Sequence, residues 1–287
     1  MPIPFMLTPR CLRRCMRPLW DCWMGQYIFR EYRVAQMDTT VTRVYGVSNI
    51  RDETHAPSGR ECLAGYLGVV PYDLALRLQQ ALLSARAEGL IPDVLLLLQH
   101  PPSFTLGRFR GKEDIIVPRE MLTREGIAVF HTNRGGSVTY HGPGQLIGYP
   151  VLNLKEKGLG VRQYIWSLEE VIIRLLHTIG IQGHRVADHR GVWVGDKKIC
   201  SVGVNVSGGI STHGFALNVS NELRYFQYIR PCGLASEVMT SVSELSGRSA
   251  EAETVLSDTI RCFSEVFYLG CKRRDDVCLA MLGALSG

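Results

Sequence analysis

Residues whose types and spacing could do chemistry fall in three places. The first is Arg134-Gly-Gly-Ser-Val-Thr-Tyr-His141, running on through Gly142-Pro-Gly-Gln-Leu-Ile-Gly-Tyr-Pro150. It sets a guanidinium, the hydroxyls of Ser137, Thr139 and Tyr140 and the imidazole of His141 beside Gly135 and Gly136, where backbone can come close to a ligand. The second is Lys198, which opens Lys198-Ile-Cys-Ser-Val-Gly-Val-Asn-Val206. Alternation along a strand puts Lys198, Cys200, Val202 and Val204 on one face. A lysine heading an apolar face is either an exposed strand end or the charged member of a pocket. The third is Cys232 in Arg230-Pro-Cys-Gly-Leu234. Pro231 and Gly233 make this a loop, so the thiol is either accessible or inert packing. A neighbouring ammonium would lower its pKa and make it a nucleophile.

The elements that must position these groups follow from pattern. Leu74, Leu78, Leu82 and Ala85 recur at helical steps between Pro71 and Gly89, which suit a helix start and stop. Asp93 to Gln99 reads as a buried strand ended by His100-Pro-Pro102. Ser103 to Gly107 is a short extended piece, and Gly126 to His131 another strand. Val138 to Tyr140 favours extended backbone, Gly142-Pro-Gly144 a turn, and Leu146 to Leu152 the next strand. On glycine content alone that unit fits equally a tight hairpin in an ordinary sheet and a stretch where backbone approaches a ligand. Gln163 to Ile179 is a second amphipathic helix, stopped by Gly180. Gly191 to Val194, Lys198 to Val206 and Thr212 to Val219 form an antiparallel meander. Ala252 to Leu269 is a third helix, and the tail from Cys271 carries no pattern. Helices alternating with short strands predict one α/β domain over residues 61–287.

Residues 1–60 differ from the rest. Arg10, Arg13, Arg14 and Arg17 lie in a first stretch of twenty without an acid. An over-extended start, with Met24 or Met37 as alternatives, an organelle-targeting peptide and a disordered arm all fit. Ser58-Gly-Arg60 marks the boundary. The 287 residues, 46% hydrophobic and 21% charged, have the composition of a globular chain with no apolar run of membrane-spanning length. A net charge of +5 does not argue for nucleic acid. The nine cysteines contain no CxxC, and their odd number without a secretory signal favours free thiols in a reducing compartment, here the cytoplasm. A mitochondrion or plastid applies if the first sixty residues are a targeting peptide. A G-x-S-x-G elbow, an H-E-x-x-H helix and a P-loop are all missing from the sequence. The histidines are not spaced as ligands, so neither metal nor cofactor is expected.

Taken together, Leu97-Leu-Gln-His-Pro-Pro-Ser-Phe-Thr-Leu-Gly107, the Arg134 to Gln145 block, Gly148-Tyr-Pro150, Lys198-Ile-Cys-Ser-Val-Gly203, His213-Gly-Phe-Ala-Leu-Asn-Val219 and Pro231-Cys-Gly233 resemble the lipoyl(octanoyl) transferases. The resemblance implies a biotin/lipoate protein ligase-like α/β fold, with a mixed, mainly antiparallel sheet and flanking helices. It implies transfer of an octanoyl group from acyl carrier protein to a lysine of a lipoyl domain, as found in 2-oxoacid dehydrogenase E2 subunits and the glycine cleavage H protein, with no nucleic acid or membrane involved. Position by position, Cys232 matches the acyl-accepting cysteine and Lys198 the lysine that lowers its pKa. The substrate-contacting segments match Arg134, Gly135, Gly136, Ser137, Val138, Thr139, Tyr140 and His141, then Ser201, Val202 and Gly203, then Gly214, Phe215 and Ala216. Cys200, on the expected face of Lys198, is the rival thiol, although its mid-strand position suits the core. The glycines would leave room for an acyl chain, and their backbone N–H groups, or those beside Cys232, are oxyanion candidates. Arg108, Arg110, Lys112, Arg185 and Arg190 are candidate contacts for acidic partners. A ligase of the same fold would need phosphate-cradling elements, and here the block reads Arg-Gly-Gly-Ser rather than R-x-x-G-G-G or GRGRxGR. An amidotransferase moving the acyl group between proteins, and an inactive binding module, are the remaining alternatives.

Overall fold

The structure, a computed structural model, describes residues 60–109, 112–230 and 239–285 together with Arg43. Apart from Arg43 and Arg60, the expected N-terminal extension lies outside the described residues. Arg110 and Cys232 lie outside them as well.

The chain opens with β1 (Glu61–Val69), crosses through α1 (Tyr72–Ala87) and returns as β2 (Asp93–Gln99), parallel to β1. Pro71 stands just before α1, where no hydrogen bond is lost, and Gly89 leaves the helix at φ +73°. β2 is buried along its whole length. That is why its leucines run without a polar interruption: Leu95 and Leu97 enter one core, Val94, Leu96 and Leu98 the other. Next come β3 (Ser103–Leu106), α2 (Arg119–Arg124), β4 (Ala128–His131) and β5 (Val138–His141), and the three strands form a small sheet in the order β4-β3-β5. β6 (Gln145–Val151) then joins the large sheet. Gly142-Pro-Gly144 is therefore no hairpin. It is a turn closed by Gln145 N–H on Gly142 O (3.1 Å), with Gly144 at φ +84°, that carries the chain from one sheet to the other.

After α3 (Val161–Thr178) come β7 (His184–Val186), β8 (His189–Val194), β9 (Lys197–Ser207) and β10 (Ile210–Asn218). β8, β9 and β10 pair as the expected antiparallel meander, and β7, which the sequence does not signal, adds to it beside β8. α4 (Val242–Ser246), α5 (Leu256–Phe267), β11 (Gly270–Arg273) and α6 (Asp275–Gly283) complete the described chain. The large sheet has the order β11-β1-β2-β6-β10-β9-β8-β7. Among the described strands, β1–β11, β1–β2 and β3–β4 pair in parallel and the rest antiparallel, so the sheets are mixed and mainly antiparallel. Helices cover both faces of the large sheet. α1 and α6 pack on Leu96 and Ile147, while α3 and α5 pack on Leu95, Leu97 and Leu217.

Several elements carry no sequence signal. β1 begins where the composition is still ambiguous, and the tail expected to be patternless supplies β11 and α6. α6 docks so closely that a Cβ on Gly65 of β1 would lie 2.5 Å from Cys278 Sγ.

Candidate active site

The two sheets face each other across a cavity of about 600 Å³, within the usual range for a small-molecule site. One wall is the β9–β10 ribbon. Its register sets Ser201 opposite Ala216, Val202 opposite Phe215 and Gly203 opposite Gly214, and all six line the cavity. Two glycines face to face leave bare backbone at the centre of this wall. A Cβ on Gly214 would sit 2.2 Å from Gly148 O on the neighbouring strand, and one on Gly203 would sit 3.1 Å from Gly135 O, where the facing wall comes into contact.

Lys198 reaches the same cavity by an irregularity. Val192 pairs with Cys200 but Trp193 with Lys198, so β9 carries one extra residue, Ile199, against β8. Ile199 and Cys200 both pack in the core beneath α3, whereas Lys198 lines the cavity. The even alternation expected from sequence is thus broken, and Cys200 does not share the face of Lys198. Burial pushes the Cys200 thiol well above its ordinary pKa, as befits a core sulfur. The Lys198 side chain is 7% exposed, with Nζ 5.2 Å from the centre of the Trp193 ring. Its backbone forms a parallel bridge with Met239 and accepts a hydrogen bond from Thr240 N–H at 3.0 Å.

The opposite wall is Arg134 to Thr139 with His141. Gly135 N–H donates to Val204 O at 2.9 Å and stitches this wall to β9. That donor is spent, which removes Gly135 from the oxyanion candidates. Gly136, at φ +92°, needs to be glycine. Ser137 Oγ donates to Asp114. The buried Arg134 guanidinium donates to Thr105 Oγ1 from Nη2 (2.9 Å) and to Gly135 O from Nη1 (3.1 Å). Tyr140 is the exception among the expected substrate contacts. It points to the other face of β5, where its ring packs 5.0 Å from Tyr225 and 5.6 Å from Phe226, and it does not line the cavity.

Aromatic residues line the cavity between these walls. Tyr72, Tyr149 and His213 all contribute. Tyr149 OH donates to His100 Nε2 at 2.8 Å, while His100 Nδ1 donates to Val70 O at 2.6 Å. Burial lowers His100 to about 4. Burial, with the Arg134 charge, lowers His213 to about 3. His141 lies well below the ordinary histidine value, first from burial and then from His100, Arg134 and His213 nearby. All three imidazoles are neutral at physiological pH, so they add no positive charge to the cavity.

The structure thus brings Lys198 and the matching segments together, Tyr140 excepted. The sequence reading missed Thr105, Tyr72, Tyr149, His213 and Gln145 as site residues. A signal existed for two of them: Gln145 follows His141 by four positions across a glycine turn, and His213 immediately precedes Gly214. Of the basic residues, Arg108 and Arg190 lie exposed on the cavity rim. Arg185 is instead held by Glu169 and Glu170 and stacks on Trp166 at 4.0 Å.

Residues 71–264 match the lipoyl protein ligase A/B catalytic domain family. An octanoyltransferase of Solibacter usitatus is 46% identical over 208 residues, which is 72% of this chain and 94% of that protein. The chain belongs to the octanoyltransferase family. A mitochondrial octanoyltransferase of Arabidopsis thaliana is 40% identical over 205 residues, covering 70% of this chain and 86% of the relative. As a member of this family the chain is an acyltransferase. Its fold is that of the lipoate protein ligases. A putative lipoate protein ligase from T. acidophilum with bound lipoic acid superposes with a TM-score of 0.64 at 19% identity, over 77% of this chain and 93% of that one. Lipoate-protein ligase A bound with ATP gives 0.63 at 16%, over 79% and 94%.

Proposed function

We propose that this octanoyltransferase takes its acyl group from octanoyl-acyl carrier protein and passes it, through a thioester on Cys232, to a lysine of a lipoyl domain. The Cys232 thiolate adds to the carrier thioester carbonyl and the C–S bond to the carrier breaks. The departing sulfur takes a proton from Lys198. The incoming lysine amine then attacks the Cys232 thioester, gives a proton to Lys198, and Cys232 leaves as thiolate. The sum is thioester plus amine to amide plus thiol. No nucleotide is consumed, because the donor is already activated. Each methylene buried in the cavity contributes about 0.8 kcal/mol, so chain length is selected only coarsely.

The observation that carries this reading is the buried Lys198 on the cavity wall, bridged to Met239. Cys232 lies seven positions before Met239, and seven residues of extended chain reach up to about 25 Å, which is enough to bring a sulfur to that ammonium. The small residues Gly203, Gly214 and Ala216 beside it fit an acyl chain or a lysine side chain lying against backbone. Lipoyl-domain proteins are the acceptors in this reading, with Arg108 and Arg190 as rim contacts. We place the reaction in the cytoplasm. The free thiols Cys62, Cys200, Cys262, Cys271 and Cys278 fit a reducing compartment, and the location of a tagged chain in cells tests this.

Mixing with octanoyl carrier and mass spectrometry are expected to show an octanoyl adduct on Cys232, absent in Cys232→Ala along with transfer to apo lipoyl domain. An adduct on another residue, or transfer that persists in the variant, rejects the relay. Free octanoate with ATP is expected to give no product. Product in that assay would favour a ligase.

A further inference from the structure

One hydrogen-bonded chain runs from the backbone of Lys198 to the guanidinium of Arg134, and each proton in it has a single consistent position. Thr240 N–H bonds to Lys198 O, and Thr240 O accepts from Asn218 Nδ2 at 3.0 Å. A carbonyl can only accept, so the Asn218 amide is fixed, and its Oδ1 faces Gln145 Nε2 at 2.9 Å. Gln145 Nε2 also donates to Tyr140 O at 3.2 Å. Gln145 Oε1 is therefore an acceptor, and His141 Nδ1, 2.9 Å away, must carry the proton. In a neutral ring Nε2 is then a bare lone pair. Thr105 Oγ1, at 3.2 Å, donates its one proton there, which leaves its lone pairs to accept from Arg134 Nε (3.3 Å) and Nη2 (2.9 Å). Every link from Asn218 to Arg134 is buried.

We propose that Gln145, backed by Asn218, is a positioning residue for acyl transfer: it holds His141 as the Nδ1–H tautomer, which obliges Thr105 to turn its lone pairs to Arg134 and aims the guanidinium along the cavity wall. This rests on reading the cavity as the site of transfer. The groups around the His141 ring agree with a neutral imidazole. Tyr72 stacks on it at 6.1 Å, His100 stands edge-on at 5.7 Å, and Arg134 and His213 are close enough to oppose its protonation. Among the described residues, the hydrogen-bond partner of Nδ1 is the Gln145 carboxamide, which carries no charge.

Gln145→Glu tests the lock with almost no change of shape. A carboxylate there still accepts from Nδ1 but favours the imidazolium, whose Nε2–H can no longer accept from Thr105. It also gives up the donations to Asn218 Oδ1 and Tyr140 O, so stability is measured alongside. A raised pKa means that the cation forms as pH falls. Relative to wild type, kcat/KM for octanoyl transfer is expected to drop about tenfold from pH 8 to pH 6 and to recover on return to high pH. Nitrogen-15 spectra of labelled histidine are expected to show wild-type His141 neutral and protonated on Nδ1 over that range, and titrating in the variant. A wild-type Nε2–H tautomer, or a variant whose pH profile parallels that of wild type, overturns the proposal. The wild-type spectrum decides the tautomer even where the variant does not fold. Lack of transfer by the wild type would strike at the proposed function instead, and the tautomer would still decide the lock.

Discussion

On the β9–β10 wall of the cavity, Gly203 stands against Gly214 and backbone pairing fixes every position. On the facing wall, Arg134, Thr105 and His141 hold one another through their side chains. The first wall is defined by what is missing, since any added atom meets backbone. The second is defined by proton positions, since its side-chain hydrogen bonds allow one arrangement of the Thr105 and His141 protons. The two therefore fail differently. The ribbon is sensitive to volume, and the polar wall to charge and pH.

The largest effect is expected from crowding the ribbon at Gly214. In Gly214→Ala the new Cβ would lie 2.2 Å from Gly148 O and 2.7 Å from Pro150 Cδ. Neither atom can swing aside, because Phe215 pairs with Gly148 between two central strands. The strands must part, at a cost of about 3 kcal/mol or more. Denaturant unfolding should show a large fall in midpoint, and an unchanged midpoint would mean that the wall yields.

The polar wall should respond to acid. His100 and His213 are buried and neutral, with pKa values lowered from 6.5 to about 4 and about 3. A lowered folded-state value means that the unfolded chain binds protons first as pH falls. Their contribution is therefore complete above about pH 6.5 and is lost between there and the folded values. For His100 alone the shift corresponds to roughly 3 kcal/mol. Urea midpoints measured from pH 7.5 to 4.5 should decline through this window, and His100→Gln should flatten the decline. A flat wild-type profile down to pH 5 would contradict the neutral burial of these rings.

This contrast also explains what could be read from sequence. The ribbon was legible because period-two patterning and turn glycines are local signals, and β2, β9 and β10 begin and end within a few residues of expectation. Lys198 and the glycine pair were identified for the same reason, apart from the extra Ile199, since a bulge leaves no local mark in an apolar strand. The polar wall was less legible. His141 reaches Thr105 only because β5 leaves the large sheet, and nothing in Gly142-Pro-Gly144 distinguishes a change of sheet from a hairpin. Tyr140 was misplaced by the same limit: alternation says that it opposes His141, but not which side holds the cavity. β11 and α6 went unread because a four-residue strand and a nine-residue helix are too short to show a period.

The finest comparison is made where the walls touch, at Gly203 and Gly135. A Cβ on Gly203 would approach Gly135 O at 3.1 Å and Arg134 Cδ at 3.3 Å, so it wedges the two walls apart by a few tenths of an ångström. A Cβ on Gly135 would find Val204 O at 3.6 Å and Phe109 Cε2 at 3.9 Å, which is ordinary contact. Neither glycine has a positive φ, so the two substitutions differ in space alone. Gly203→Ala should lower transfer about tenfold by displacing the guanidinium, a shift of roughly 1.4 kcal/mol in the barrier, with a smaller change in unfolding midpoint. Gly135→Ala should stay within about 0.5 kcal/mol of wild type in stability and close to it in rate. If the two variants transfer octanoyl equally well, the spacing between the walls does not set the rate, and the demand for glycine at Gly203 is one of folding only.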